Sequence, residues 1–164
     1  MKVMKMSDKK YKKILIIMII IFLAAVPVLY FLSDNREQAV KEVENEFDIK
    51  LPASVKRERE IKKEPSFHGD GEAAILFTVD KADIDEIKDE LKDYEVTGDT
   101  NKVSQIESCF KIVRKKGFKA SCDFTKNVYF KPTSDNVNYD MYGNFVAIII
   151  SEDSGEILFL QWDS

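Results

Sequence analysis

The chain has 164 residues and a net charge of −4, enough for one modest domain with an appendage. The charge is uneven: Lys2, Lys5, Lys9, Lys10, Lys12 and Lys13 stand against Asp8 alone in residues 1–32, giving +5, whereas residues 33–164 hold 19 basic and 28 acidic side chains, or −9. An acidic body is a poor match for nucleic acid, which demands a cationic surface, and one histidine with two cysteines is little material for a transition-metal centre.

Residues 14–32, ILIIMIIIFLAAVPVLYFL, run for nineteen positions without a charge. As a helix rising about 1.5 Å per residue they cover roughly 28 Å, close to the hydrocarbon thickness of a bilayer. The lysines of the 1–13 tip lie on the N-terminal side, so the positive-inside rule keeps that tip in the cytoplasm and carries the body across the cell membrane. Tyr30 and Phe31 then fall at the outer interface, and Pro27 is tolerated in a spanning helix. A cleaved signal peptide is the competing reading, but the run exceeds the usual apolar region and Ala24-Ala25 lies inside it. No cysteine directly follows to take a lipid anchor. The expectation is an uncleaved, single-pass signal anchor.

Residues 33–52 read as a helical stalk. Ser33, Asp34 and Asn35 are N-cap candidates. Ala39, Val40, Val43 and Phe47 line one face at three- and four-residue spacing, and Leu51-Pro52 ends the helix. The stripe can pack on the domain or pair with another copy, and packing on the domain is preferred. Residues 53–164 are then the extracytoplasmic domain.

The charged stretch 55–64, VKREREIKKE, suits a solvent-facing edge strand, since charges on an edge discourage unwanted pairing. EAAILFTV, 72–79, suits an interior strand. Asp80 is a candidate cap for the next helix, whose buried stripe is Ile84, Ile87 and Leu91 and whose early acids suit the helix dipole. Val103, Ile106, Phe110 and Val113 suggest a short helix ending at Gly117. NVYFK (127–131), NFVAIIIS (144–151) and EILFLQW (156–162) read as strands, with Gly155 available for the turn between the last two. The polar 132–143 segment reads as an exposed loop. The fold expected is α+β: a mainly antiparallel sheet of about five strands, with two or three helices on one side.

Four features are weighed as sites. His68, Gly69, Asp70 and Gly71 precede the 72–79 strand. His68 and Asp70 fall short of a metal ligand set, two glycines before a strand do not make a phosphate loop, and DGE is too short for a calcium loop. The motif reads as a hairpin turn, in which Asp-Gly supplies positive φ angles. Cys109 and Cys122 are thirteen positions apart and are weighed as a disulfide against two free thiols, the disulfide being favoured for a translocated domain. The basic cluster KIVRKKGFK, 111–119, suits an acidic polymer or anionic headgroups, the latter less so on the outer leaflet, and more often such a run is a solvated face. Finally, an envelope enzyme would draw on His68, Asp70 and Asp140. Nothing singles out a nucleophile or an acid/base pair, so no catalytic residue, no metal ligand and no cofactor is expected.

The stretches FHGDGE (67–72) and FVAIIISEDSGEILFLQWDS (145–164) resemble an uncharacterised group of small membrane-anchored proteins of Gram-positive bacteria. That group carries a GFHGDG-like turn before an apolar strand and closes with a hairpin of the form FxxxIYDxxxxxLYxxxxDT. Ser66 stands here where the group tends to have glycine, and Asp163-Ser164 replaces Asp-Thr. The resemblance implies an N-terminal membrane segment joined to an ectodomain, and transfers no catalytic residue. The function expected is a non-enzymatic binding or accessory factor of the cell envelope, its partner a protein or an envelope component. The alternatives are the envelope enzyme and a structural subunit of a membrane complex that uses the anchor as its interface.

Overall fold

The computed structural model describes residue 18, residues 38–62, 71–133 and 144–163. Met18 is helical and exposed, and the rest of the 14–32 run lies outside the described residues. Among the described residues no helix is long and apolar enough to cross a membrane. The chain divides into two compact units, Met1–Gln38 and Ala39–Ser164. The second is the folded domain described here. It includes Ala39, Val43 and Phe47 of the 33–52 stretch, whose stripe packs into the core of the domain.

Helix α1 occupies 38–47. It ends five residues before Pro52, on the backbone itself: Asp48 adopts a left-handed φ of 54°, and the Ile49 N–H donates to the Glu44 carbonyl at 3.1 Å. This six-to-one bond closes the last turn and satisfies a free carbonyl. The Glu44 carboxylate then accepts from the Leu51 N–H at 2.9 Å.

The strands are β1 (Lys56–Ile61), β2 (Gly71–Thr78), β3 (Val128–Pro132), β4 (Phe145–Ser151) and β5 (Glu156–Asp163). They form one sheet in the order β1-β2-β5-β4-β3, with every neighbouring pair antiparallel. β1 is an edge strand and β2 an interior one, as their residues require. A register irregularity between Arg57 and Arg59 reinforces the charges in blunting the open edge. The β1–β2 pairing fits a hairpin through 62–70, whose residues 63–70 lie outside the described set.

Helix α2 (Ile84–Leu91) buries Ile84, Ile87 and Leu91 as the spacing predicts. It is preceded by a 3₁₀ turn, Lys81–Asp83, and Asp80 makes no side-chain cap. The Asp80 carbonyl instead accepts from the Asp83 N–H at 2.9 Å. Helix α3 (Thr100–Lys115) is sixteen residues long, not short. Its start is set by Asp99, whose carboxylate accepts from the Asn101 and Lys102 N–H groups at 3.1 and 3.2 Å. Gly117, with φ of 87°, follows its end.

The helices do not share one side of the sheet. Ile75, Phe77, Val146, Ile148, Ile150, Ile157 and Phe159 pack with α1 and α2 residues. Their strand neighbours Ala74, Leu76, Ala147, Ile149, Leu158 and Leu160 pack with α3 residues and Phe118. Side chains alternate faces along a strand, so a strand that is apolar at every position needs cover on both faces. That is why FVAIII in β4 is buried throughout. The result is an α+β domain of three layers.

Candidate functional site

At one end of the sheet the β4–β5 turn faces the loop that follows α3. The turn is tight because Gly155 takes φ of 69°, and a β-carbon there would stand 2.8 Å from the Val79 carbonyl oxygen. Between turn and loop lies a cleft of about 500 Å³, whose walls include Ser121, Asp123, Lys126, Asn127, Ser151 and Glu152. Cys122 and Ile150 supply its apolar atoms.

The walls are tied together. The Ser151 hydroxyl donates to the Ser121 carbonyl, and the Ser121 N–H donates to Glu156 Oε2 at 2.8 Å. The Ile150 N–H reaches the Asn127 carbonyl at 3.1 Å, and Asn127 Nδ2 reaches Glu152 Oε1 at the same distance. Lys88 Nζ donates to that oxygen at 2.6 Å. These two bonds hold the Glu152 carboxyl below the usual carboxylate range. Asp123 is also held low, because its Oδ1 accepts from the Thr125 hydroxyl and N–H. Asn127 has φ of 50°, a conformation that asparagine adopts more readily than most residues. The cleft therefore offers fixed carboxylates and hydroxyls on prearranged walls.

The two cysteines are not joined. Both are free thiols: Cys109 is buried on α3, and Cys122 reaches the same cluster from the loop. The disulfide weighed against two free thiols is not formed in this structure. Each thiol packs against apolar side chains, and burial pushes both up to about 12. At neutral pH they stay protonated and act as small apolar groups, not as nucleophiles.

His68, Gly69 and Asp70 lie outside the described residues, as does Asp140. Gly71 opens β2 opposite Asp163. Next to it, Glu72 is nearly buried and pairs with Lys116 Nζ at 2.7 Å, which fastens the start of β2 to the end of α3. Of the basic cluster, Lys116 is therefore committed to Glu72, and Lys111 lies 3.8 Å from Glu107. Among the described residues no group of three or more His, Cys, Asp or Glu side chains can hold a metal ion.

Sequence reading missed the cleft and the Glu72 pair. The spacing Asp123-x-Thr125 is a local turn signal that marks one wall. The facing of 121–127 against 151–154 has no local signal. Comparison of the chain with protein-family models, with curated proteins and with solved structures finds no match.

Proposed function

We propose that the protein is a single-pass membrane protein that presents the Ala39–Ser164 domain outside the cytoplasm as a non-catalytic binding or accessory module of the cell envelope. The observation that carries this reading is the uncharged nineteen-residue run with six lysines on its N-terminal side, ending seven residues ahead of Ala39. The positive-inside rule gives the orientation. The binding role is supported by the cleft at the β4–β5 turn, whose walls are set before any ligand arrives.

Protease added to intact, wall-stripped cells tests the topology. The expected result is digestion of the acidic domain with retention of a short membrane-protected fragment. A domain that resists until the cells are lysed overturns it. Crosslinking in the native host, followed by identification of what co-purifies, tests the binding role. Loss of one enriched species on Asp123→Ala and Glu152→Ala substitution is expected, and an unchanged set of captured proteins counts against the cleft.

A further inference from the structure

We propose that the outer edge of β1 is a self-recognition surface, on which the β1 of a second copy pairs antiparallel and joins the two five-stranded sheets into one. The contact belongs to the folded domain and is separate from the cleft.

The two edges of the sheet differ. Outside β3, the Val96 N–H donates to the Val128 carbonyl at 2.9 Å, and the Val128 N–H donates to Thr97 Oγ1 at 3.1 Å. A neighbouring segment thus occupies part of that edge, whereas among the described residues no strand lies outside β1. The strand reads Lys56-Arg57-Glu58-Arg59-Glu60-Ile61, which is complementary to itself. Laid antiparallel about the midpoint between Glu58 and Arg59, two copies set Arg57 against Glu60 and Glu58 against Arg59, each pair occurring twice. All four pairs are of opposite charge. A slip of one residue in either direction sets Arg on Arg and Glu on Glu, and a parallel in-register pair does the same.

The irregularity in β1 decides whether that register is possible. Residues directly opposite in a sheet share a face, and in a regular strand Arg57 and Glu60 lie on different faces. Here Arg57 is opposite Phe77 and Glu60 is opposite Ile75, both of which face the α1 and α2 layer. Arg59 is opposite Leu76, on the α3 face. The Thr78 hydroxyl, two residues along β2 from Leu76, donates to Glu58 Oε1 at 3.1 Å and brings Glu58 to that same face. The extra residue therefore puts Arg57 and Glu60 on one face and Glu58 and Arg59 on the other, as the complementary register requires. A regular strand falls out of step at the extra residue, but a second copy meets it with an extra residue of its own. Glu58 and Arg59 are exposed, and the ion pair between Arg57 and Glu60 within each strand holds those two side chains together. The edge that turns away unrelated strands thus selects its own copy.

Sedimentation of the full chain in detergent micelles over a range of concentrations tests the pairing, and a monomer–dimer equilibrium is expected. Arg57→Glu/Arg59→Glu makes 57–60 wholly acidic, and Glu58→Arg/Glu60→Arg makes it wholly basic. Each turns four attractions into four repulsions and is expected to weaken dimerisation roughly tenfold or more. Mixed one to one, the two variants face each other with opposite charge at all four positions, so a dimer of one of each is expected to recover most of the natural strength. A chain carrying all four substitutions restores the complementary order and is expected to dimerise with itself. A natural chain that stays monomeric up to about 1 mM overturns the proposal without any variant. A dimer that the charge-reversed variants leave unchanged is held elsewhere, the 14–32 run included, and overturns it equally. Failure of both the mixture and the fourfold variant to dimerise does the same.

Discussion

Lys88 Nζ on α2 and Glu152 Oε1 in the β4–β5 turn lie 2.6 Å apart, joining residues 64 positions distant in the chain. Lys81, seven residues earlier in the 3₁₀ turn before α2, repeats the connection by donating to the Asp153 carbonyl at 2.6 Å. The turn that forms one wall of the cleft is therefore held by the helix behind it.

The Lys88–Glu152 contact has a pH window. The hydrogen bonds from Lys88 and Asn127 lower the Glu152 carboxyl, and the Glu152 bond raises the Lys88 ammonium. A lowered carboxyl contributes stability above its unfolded value, near 4.3, and loses it as pH falls through the lower folded value. A raised ammonium contributes below its unfolded value, near 10.4, and loses it as pH rises through the higher folded one. Between those limits, Glu152→Gln is expected to melt below the natural chain, with the gap closing in acid. Thermal melts from about pH 3 to 8 check this, and a gap that persists unchanged into acid contradicts it.

Because the sheet is covered on both faces, truncation on either face is costly. Phe159 packs with the α1 and α2 layer and Leu160 with α3, and both are fully buried. Phe159→Ala is expected to cost about 3–5 kcal/mol and Leu160→Ala about 2–5 kcal/mol. Denaturant unfolding of the two variants measures this. A sheet with one solvated face loses much on one substitution and little on the next.

Neither thiol should react readily in the folded state. With folded values near 12 against an unfolded value of about 8.5, the protonated thiols favour the folded state, and that contribution falls as pH rises from about 8.5 to 12. A thiol reagent at pH 8 is expected to label slowly, Cys122 before the more buried Cys109, and to count two thiols after denaturation. A count of zero in denaturant without reductant reinstates the disulfide.

The Glu72–Lys116 pair should show an asymmetry between breaking and replacing. Glu72 is 9% exposed, so Lys116→Met leaves a nearly buried carboxylate without this partner. Loss of one partner from a fully buried pair costs about 3–5 kcal/mol. Lys116 is partly exposed, so a loss toward or below the low end of that range is expected. Glu72→Leu with Lys116→Met replaces both charges with apolar groups and is expected to lose less than Lys116→Met alone. Chemical unfolding decides it, and a double variant weaker than the single one removes the argument.

Much of the secondary structure was legible locally. The stripe Ile84, Ile87 and Leu91 marks α2, and β-branched runs mark β4 and β5, because periodicity follows directly from which side chains must leave water. The α3 length was less legible: Ser104, Gln105, Glu107 and Ser108 dilute its stripe, and the Asp99 cap that sets its start lies outside it. The sheet-wide consequence of β4 went unread, since one apolar run does not say which elements cover its two faces.

Alone, the sequence determined the apolar run with its lysine flank, the charge contrast between tip and body, the strand-forming stretches and the tight turn at Gly155, because each depends on residues close together along the chain. Tertiary structure decided the rest: helices on opposite faces of the sheet, two thiols apart in one cluster, Lys116 closing on Glu72, and a cleft between 121–127 and 151–154. These relations join residues distant in sequence, and packing brings them together in the order β1-β2-β5-β4-β3, which no local periodicity encodes.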